Sequence, residues 1–138
     1  MNRTIKFRGK DLLGKWRYGD LVQEKWKSKL NTNEKAFMIK NGNRAATVLE
    51  NTVGQFTGLH DKNGKEIYEE DIIHINDDFF NEFNYLIEWN EEYLRYYLYS
   101  VDKEKLNKLG GILEAHLNSL EVEVIGNIYD NSELLEGE

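Results

Sequence analysis

Three histidines and a scatter of aspartates are the residues of this 138-residue chain whose types invite a search for metal or acid–base chemistry. His60, His74 and His116 fall on separate stretches, with none of the short spacings that bring two imidazoles to one zinc ion. Asp61, Asp71 and Asp77 bracket His74. A metal-dependent hydrolase built here would need His74 and at least two of these carboxylates at one solvent-accessible point. In the run Ile72-Ile73-His74-Ile75 the odd-numbered isoleucines share one face, and Ile72 shares the other with His74. An isoleucine on each face leaves the core side open; His74 is expected to be exposed and without a ligand. Asp61-Lys62-Asn63-Gly64 fails as a calcium loop because its glycine arrives too early. No P-loop, GxGxxG or GxSxG occurs, and Asp77-Asp78 lacks the pocket context of glycoside chemistry. The expectation is a non-enzymatic protein that needs no metal or cofactor.

A different chemistry is offered by the first third of the chain. Trp16 and Tyr18 can stack on bases, and Arg3, Lys6, Arg8, Lys10, Arg17 and Lys25 can meet phosphates, as in proteins that bind single strands. The bland alternative is a set of core aromatics with arginine stems lying along them. Charge is unevenly spread: residues 1–45 hold 12 Lys and Arg against 4 Asp and Glu, whereas 46–138 hold 6 against 21, for a net −7 overall. The basic part can face nucleic acid, or it can complement the acidic remainder within one chain or between copies.

Composition narrows the setting. The absence of Cys removes disulfides, thiolate metal sites and cysteine nucleophiles. With no leader-like or membrane-length apolar run, a cytoplasmic location and no membrane partner are expected. At this length one compact domain can bury its own core.

The elements that must position these residues read mainly as β. Thr4 to Arg8 alternates, placing Ile5 and Phe7 on one face; Asp11 to Lys15 turns the chain; Trp16 to Val22 is a second strand with Gly19 marking a bulge or close approach. Lys25 to Glu34 lacks apolar periodicity and reads as a loop. Ala36 to Lys40 is a strand ending at Asn41-Gly42-Asn43, and extended chain follows with Val48, Val53 and Phe56 buried. Asp61 to Gly64 reverses the chain. After the acidic turn Glu69-Glu70-Asp71, Ile72 to Ile75 is a half-buried strand. A polar loop with Phe79 and Phe80 leads to a hairpin of Tyr85–Trp89 and Arg95–Val101. Asp102 can cap a helix carrying Leu106, Leu109, Leu113, Leu117 and Leu120, interrupted by Gly110-Gly111. Glu121 to Tyr129 closes as a strand, and the acidic tail from Asp130 frays.

Four segments in order carry a resemblance: IKFRGKDLLGKWRYGDLV from Ile5, TGLHDKNGKEIYEEDI from Thr57, LIEWNEE from Leu86 and EVIGNIYDNSELL from Glu123. They resemble the YopX family, small proteins encoded by phages and prophages of Gram-positive bacteria. The family usually has Gly where this chain has Glu70, so a left-handed backbone there would be strained. The resemblance implies an SH3-like small barrel with a less regular N-terminal part, and it brings no established activity. The fold expected is therefore mainly β: an N-terminal β portion over 1–50 packed beside an SH3-like β-barrel portion over 51–138 with a short helical insertion, forming one compact unit. The leading functional expectation is a phage accessory module that binds a host or phage protein or associates with itself as a homo-oligomer. Nucleic-acid binding through the basic third is the alternative, and a metal-dependent enzyme the third.

Overall fold

A computed structural model describes residues 4–27, 33–76, 83–92, 94–102, 105–112 and 121–135. The chain divides into two compact units, Met1–Phe56 and Thr57–Glu138.

In the first unit, β1 (Phe7–Lys10), β2 (Trp16–Lys27), β3 (Asn33–Asn41) and β4 (Arg44–Val48) follow one another as an antiparallel meander. Gly19 is the pivot of β2. Residues from Trp16 to Gly19 ladder with β1, and those from Asp20 to Lys27 ladder with β3. A Cβ on Gly19 would lie 2.2 Å from the Lys40 carbonyl oxygen, and its φ of +153° also favours glycine, so the close approach read from sequence is present. At the far end a bridge between Asp11 and Val48 ties β4 back to β1. Buried Thr52 sits in the 3-10 turn Glu50–Thr52 and accepts the Lys10 N–H through its hydroxyl while donating to the Leu49 carbonyl. Two expectations are corrected. Ile5 is exposed and the first strand starts only at Phe7; Lys25 to Glu34 is not a loop throughout, because Lys25, Trp26 and Lys27 pair with Lys35, Glu34 and Asn33. Ladder hydrogen bonds carry these residues although their side chains show no apolar period.

The strand β5 (Gly54–His60) begins on β1, through Arg8 with Gly54 and Phe7 with Gln55, and continues into the second unit, where it pairs with β6 (Glu66–Tyr68). Val48 and Phe56 are buried as expected; Val53 is only half-buried.

In the second unit, β7 (Asp71–Asn76), β8 (Phe83–Asn90), β9 (Arg95–Asp102), β10 (Lys105–Ile112) and β11 (Glu121–Asn127) form an antiparallel sheet in the order β10-β9-β8-β7-β11. Register sets the core: Ile73 faces Val124, Ile75 faces Val122, and Ile87 faces Leu98, all buried with Ile67 and Tyr96. Directly opposed apolar pairs are what stabilise an antiparallel sheet. The reverse face is covered as well. Ile72 and Leu86 are opposed and buried there, and the 3-10 turn Ser132–Leu135 packs on β8 and β9, with Asn84 Nδ2 donating to the Leu134 carbonyl.

Three expectations change in this unit. The strand from Ile72 is buried on both faces over Ile72 and Ile73 rather than half-buried. The acidic tail is ordered through Leu135. The helical segment is corrected over 105–112, where the chain is the edge strand β10 on β9, with the register shift between Lys108 and Ile112 spanning Gly110-Gly111. Edge pairing gives Lys105 to Lys108 and Ile112 ladder partners on β9, whereas two glycines cost a helix about 2 kcal/mol. Leu113, Leu117, Leu120, His116, Phe79, Phe80 and Asp77 lie outside the described residues. Among the described residues the pairings leave both sheets open, so the small barrel is corrected to two open antiparallel sheets.

Both units use one turn. Asp11-Leu12-Leu13-Gly14-Lys15 and Asp61-Lys62-Asn63-Gly64-Lys65 each begin a D-x-x-G-K-x-x-Y sequence that ends at Tyr18 or Tyr68. In each, the aspartate Oδ1 accepts the N–H groups two and four residues on, at 2.8–2.9 Å, and the glycine has φ near +80°. Further along, Glu70 takes φ +67°. Its N–H donates to the Ile87 carbonyl and its own carbonyl accepts from Ile128, which locks the left-handed residue between β8 and the end of β11. A Cβ in that region costs about 1–3 kcal/mol, against an entropic penalty of about 0.5–1 kcal/mol for glycine. Glu70→Gly should therefore raise stability by about 1 kcal/mol in urea unfolding; a loss of stability would mean that the glutamate side chain contributes more than its backbone strain costs.

Candidate ligand-binding cleft

The acidic candidates are engaged by the backbone. Asp61 is buried; beyond its two turn bonds its Oδ2 accepts the Val124 N–H at 3.0 Å. Asp71 is buried, and its Oδ2 accepts the Tyr68 N–H at 2.8 Å. His74 is half-buried, not exposed as expected, with Nδ1 2.9 Å from Asn84 Oδ1. Among the described residues no three His, Asp or Glu side chains gather as a metal site.

Burial alone would raise the Asp61 carboxyl, but the Val124, Lys65 and Asn63 N–H groups and the Lys65 charge outweigh it and hold the group below the ordinary aspartate value. Asp11 is likewise lowered: the Lys15 N–H has the largest effect, burial opposes it next, and Arg17 and the Leu13 N–H complete the lowering. Its Oδ2 lies 3.0 Å from Arg17 Nε.

The basic and aromatic candidates do converge. Register pairs Arg8 with Tyr18 and Lys10 with Trp16, which puts these four side chains on one face of the β1–β2 ladder. Arg8 is buried with its guanidinium 4.6 Å from the Trp16 ring centroid, and Lys10 Nζ lies 5.5 Å from the same ring. Such contacts orient an indole and enrich it in positive potential. Arg17 pairs with Gly9 and is 38% exposed at its side chain; Tyr18 is 40% exposed. Lys6 is half-buried, and its carbonyl accepts the Phe56 N–H. Lys25 lies in β2 with its side chain outside the described set, as is all of Arg3.

Trp16, Arg17 and Tyr18 line an open cleft of about 710 Å³, within the size range of small-ligand sites. Its other wall comes from the β3–β4 hairpin: Ile39, Asn41, Asn43, Arg44, Ala45 and Ala46. Asn41 Nδ2 donates to the Tyr18 carbonyl at 3.3 Å, joining the two walls. Sequence reasoning missed Arg44 and the two asparagines. The Asn-Gly-Asn turn was visible, but only the β2–β3 register carries it to Trp16.

Fold and cleft together define a class: a mainly β protein of two units, with an aromatic and cationic cleft on the first. A family model described as YopX protein matches residues 6–136, and the chain belongs to the YopX family. Among solved structures it is similar to protein EF1440 from Enterococcus faecalis, at 21% identity and a TM-score of 0.54 over 97% of this chain and 99% of that one, a likeness of fold. No curated protein matches the sequence. Among the described residues no helix is long and apolar enough to cross a membrane.

The two turn aspartates set an acid response. Each is more acidic folded than unfolded, so its stabilisation is complete above the ordinary value of 3.8 and is lost as pH falls through the lower folded value. Glu88, pushed up by burial, acts in the opposite sense. Asp11→Asn should be less stable than the native chain at neutral pH and converge with it in acid, flattening the fall in urea midpoint from about pH 5 to about pH 2. Parallel curves would contradict this assignment.

Proposed function

We propose that this protein is a non-catalytic accessory protein of a phage or prophage that binds single-stranded nucleic acid through the cleft of its first unit, in the cytoplasm of the host. The observation that carries this reading is the meeting of Trp16 and Tyr18 with Arg17 and Arg44 around one open cleft. An aromatic surface accepts any base by stacking, and guanidinium groups accept phosphate oxygens, so the pair of chemistries matches a nucleotide repeat. Arg8 and Lys10 hold the indole, while Arg17 and Arg44 meet phosphates. Asn41 and Asn43 offer amides to base edges or sugar.

Charge supports the choice of unit. Residues 1–56 carry 12 Lys and Arg against 5 Asp and Glu, a net +7, and residues 57–138 carry 6 against 20, a net −14. The ligand backbone is drawn to the first unit and repelled by the second. Binding confined in this way is expected to be modest in affinity and sensitive to salt.

Fluorescence anisotropy with a short labelled single strand tests the proposal. Binding is expected at about 50 mM salt, weakening with a log–log slope of about −1.4 for two phosphate contacts. Arg44→Ala should reduce that slope by about 0.7, and Tyr18→Ala should weaken binding about tenfold with the slope unchanged. No binding at low salt, or equal binding by both variants and the native chain, would overturn the reading.

A further inference from the structure

The two copies of the aspartate turn differ in one respect that the backbone does not require. Asp11 and Gly14 build the first turn as Asp61 and Gly64 build the second, yet the two residues between them are Leu12 and Leu13 in one and Lys62 and Asn63 in the other. Leu12 is 69% and Leu13 94% exposed. The first turn thus holds two leucines out to solvent on a hydrogen-bonded frame, which lowers the entropy lost when they are covered. Lys10 and Lys15 flank them, with Asp11 paired to Arg17 beneath.

The second unit has a tip of matching character. Its β8–β9 connection exposes Glu91, Glu92 and Leu94, with half-exposed Trp89 one register step behind and in edge contact with Tyr96. Leu94 takes φ +53°, a position where a connection of this kind ordinarily places glycine or asparagine. Here too an apolar side chain is held outward where the fold asks for something else. Arg95 offsets one of the acidic charges, leaving this tip net negative.

We propose that copies of this chain associate with one another through these two hairpin tips. Leu12 and Leu13 of one copy lie against Trp89 and Leu94 of the next, and Lys15 faces Glu91 and Glu92. The charge complementarity repeats at the scale of the units, net +7 and net −14. A contact between unlike surfaces closes as a two-fold dimer when two copies make it reciprocally, and otherwise forms a ring or runs on as a chain. Four apolar side chains cover far less than the roughly 800 Å² per partner of a stable interface, so the association is weak and depends on concentration.

Light scattering on nuclease-treated protein from micromolar to millimolar concentration reads it. The average mass should rise with concentration and fall back as salt is added. Leu12→Lys with Leu13→Asn gives the first turn the residues of the second, and Leu94→Gly relieves the left-handed leucine; both variants should stay folded by circular dichroism. Each should weaken association about tenfold or more. Lys15→Glu and Glu92→Lys should each weaken self-association, and an equimolar mixture of the two should recover it through the restored pair. A mass that stays monomeric throughout overturns the proposal, as does association that these substitutions leave unchanged. Monomeric protein that binds anionic lipid vesicles through Leu12 and Leu13 would overturn it in favour of a membrane surface.

Discussion

A single buried carboxylate joins the most distant parts of the second unit. Asp61 accepts three backbone N–H groups: Asn63 and Lys65 shape the turn between β5 and β6, and Val124 lies 63 residues away in the middle of β11. The Lys62 N–H donates to the Val122 carbonyl beside it, so turn and closing strand are bonded at two adjacent points. Val122 and Val124 are core residues facing Ile75 and Ile73. Position of the turn and register of the last strand are thereby one constraint. A buried carboxylate is costly unless its oxygens are satisfied, and here the donors are main-chain groups that would otherwise be unmet.

Asp11 repeats the device in the first unit with a different second partner, Arg17 in place of a strand amide. In the second unit the spare oxygen fastens the fold, whereas in the first it fixes the guanidinium of Arg17, a residue of the cleft lining. The same local chemistry thus holds a core strand in one place and orients a cationic side chain in the other. Glu70 belongs to the same system: the sequence that follows the Asp61 turn leads to a left-handed residue whose two main-chain groups bond β8 and the residue after β11.

What could be read from sequence was what is decided locally. The turns at Gly14 and Gly64, the close approach at Gly19 and the strands around Ile87 and Leu98 all follow from a few adjacent residue types, whereas the strain at Glu70 is implied by the family resemblance, in which glycine is usual there. Elements decided by distant partners were misread. Leucines at helical spacing suggested a helix from Leu106, yet Leu106 pairs with Val101 in an edge strand, because a short apolar run does not distinguish the two periods. Lys25 and Trp26 read as loop because only their pairing with Lys35 and Glu34 makes them strand. His74 was expected to be exposed but is half-buried, and the 3-10 turn covering the back of its sheet is contributed some sixty residues later. For the cleft, one wall was legible as an aromatic and basic segment; Arg44 and the asparagines of the other wall depend on register, which composition does not reveal.

The account rests most directly on the bond between Asp61 and Val124. Asparagine at position 61 keeps an oxygen for the Asn63 and Lys65 N–H groups but presents an amide donor to the Val124 N–H, so it breaks the strand link and spares the turn. Native-state hydrogen exchange of Asp61→Asn at neutral pH is therefore the decisive measurement. The Val124 amide should lose protection more than the Asn63 and Lys65 amides, with global stability reduced by about 1–3 kcal/mol. Unchanged protection at Val124, with native stability, would contradict the claim that this carboxylate holds the closing strand in register.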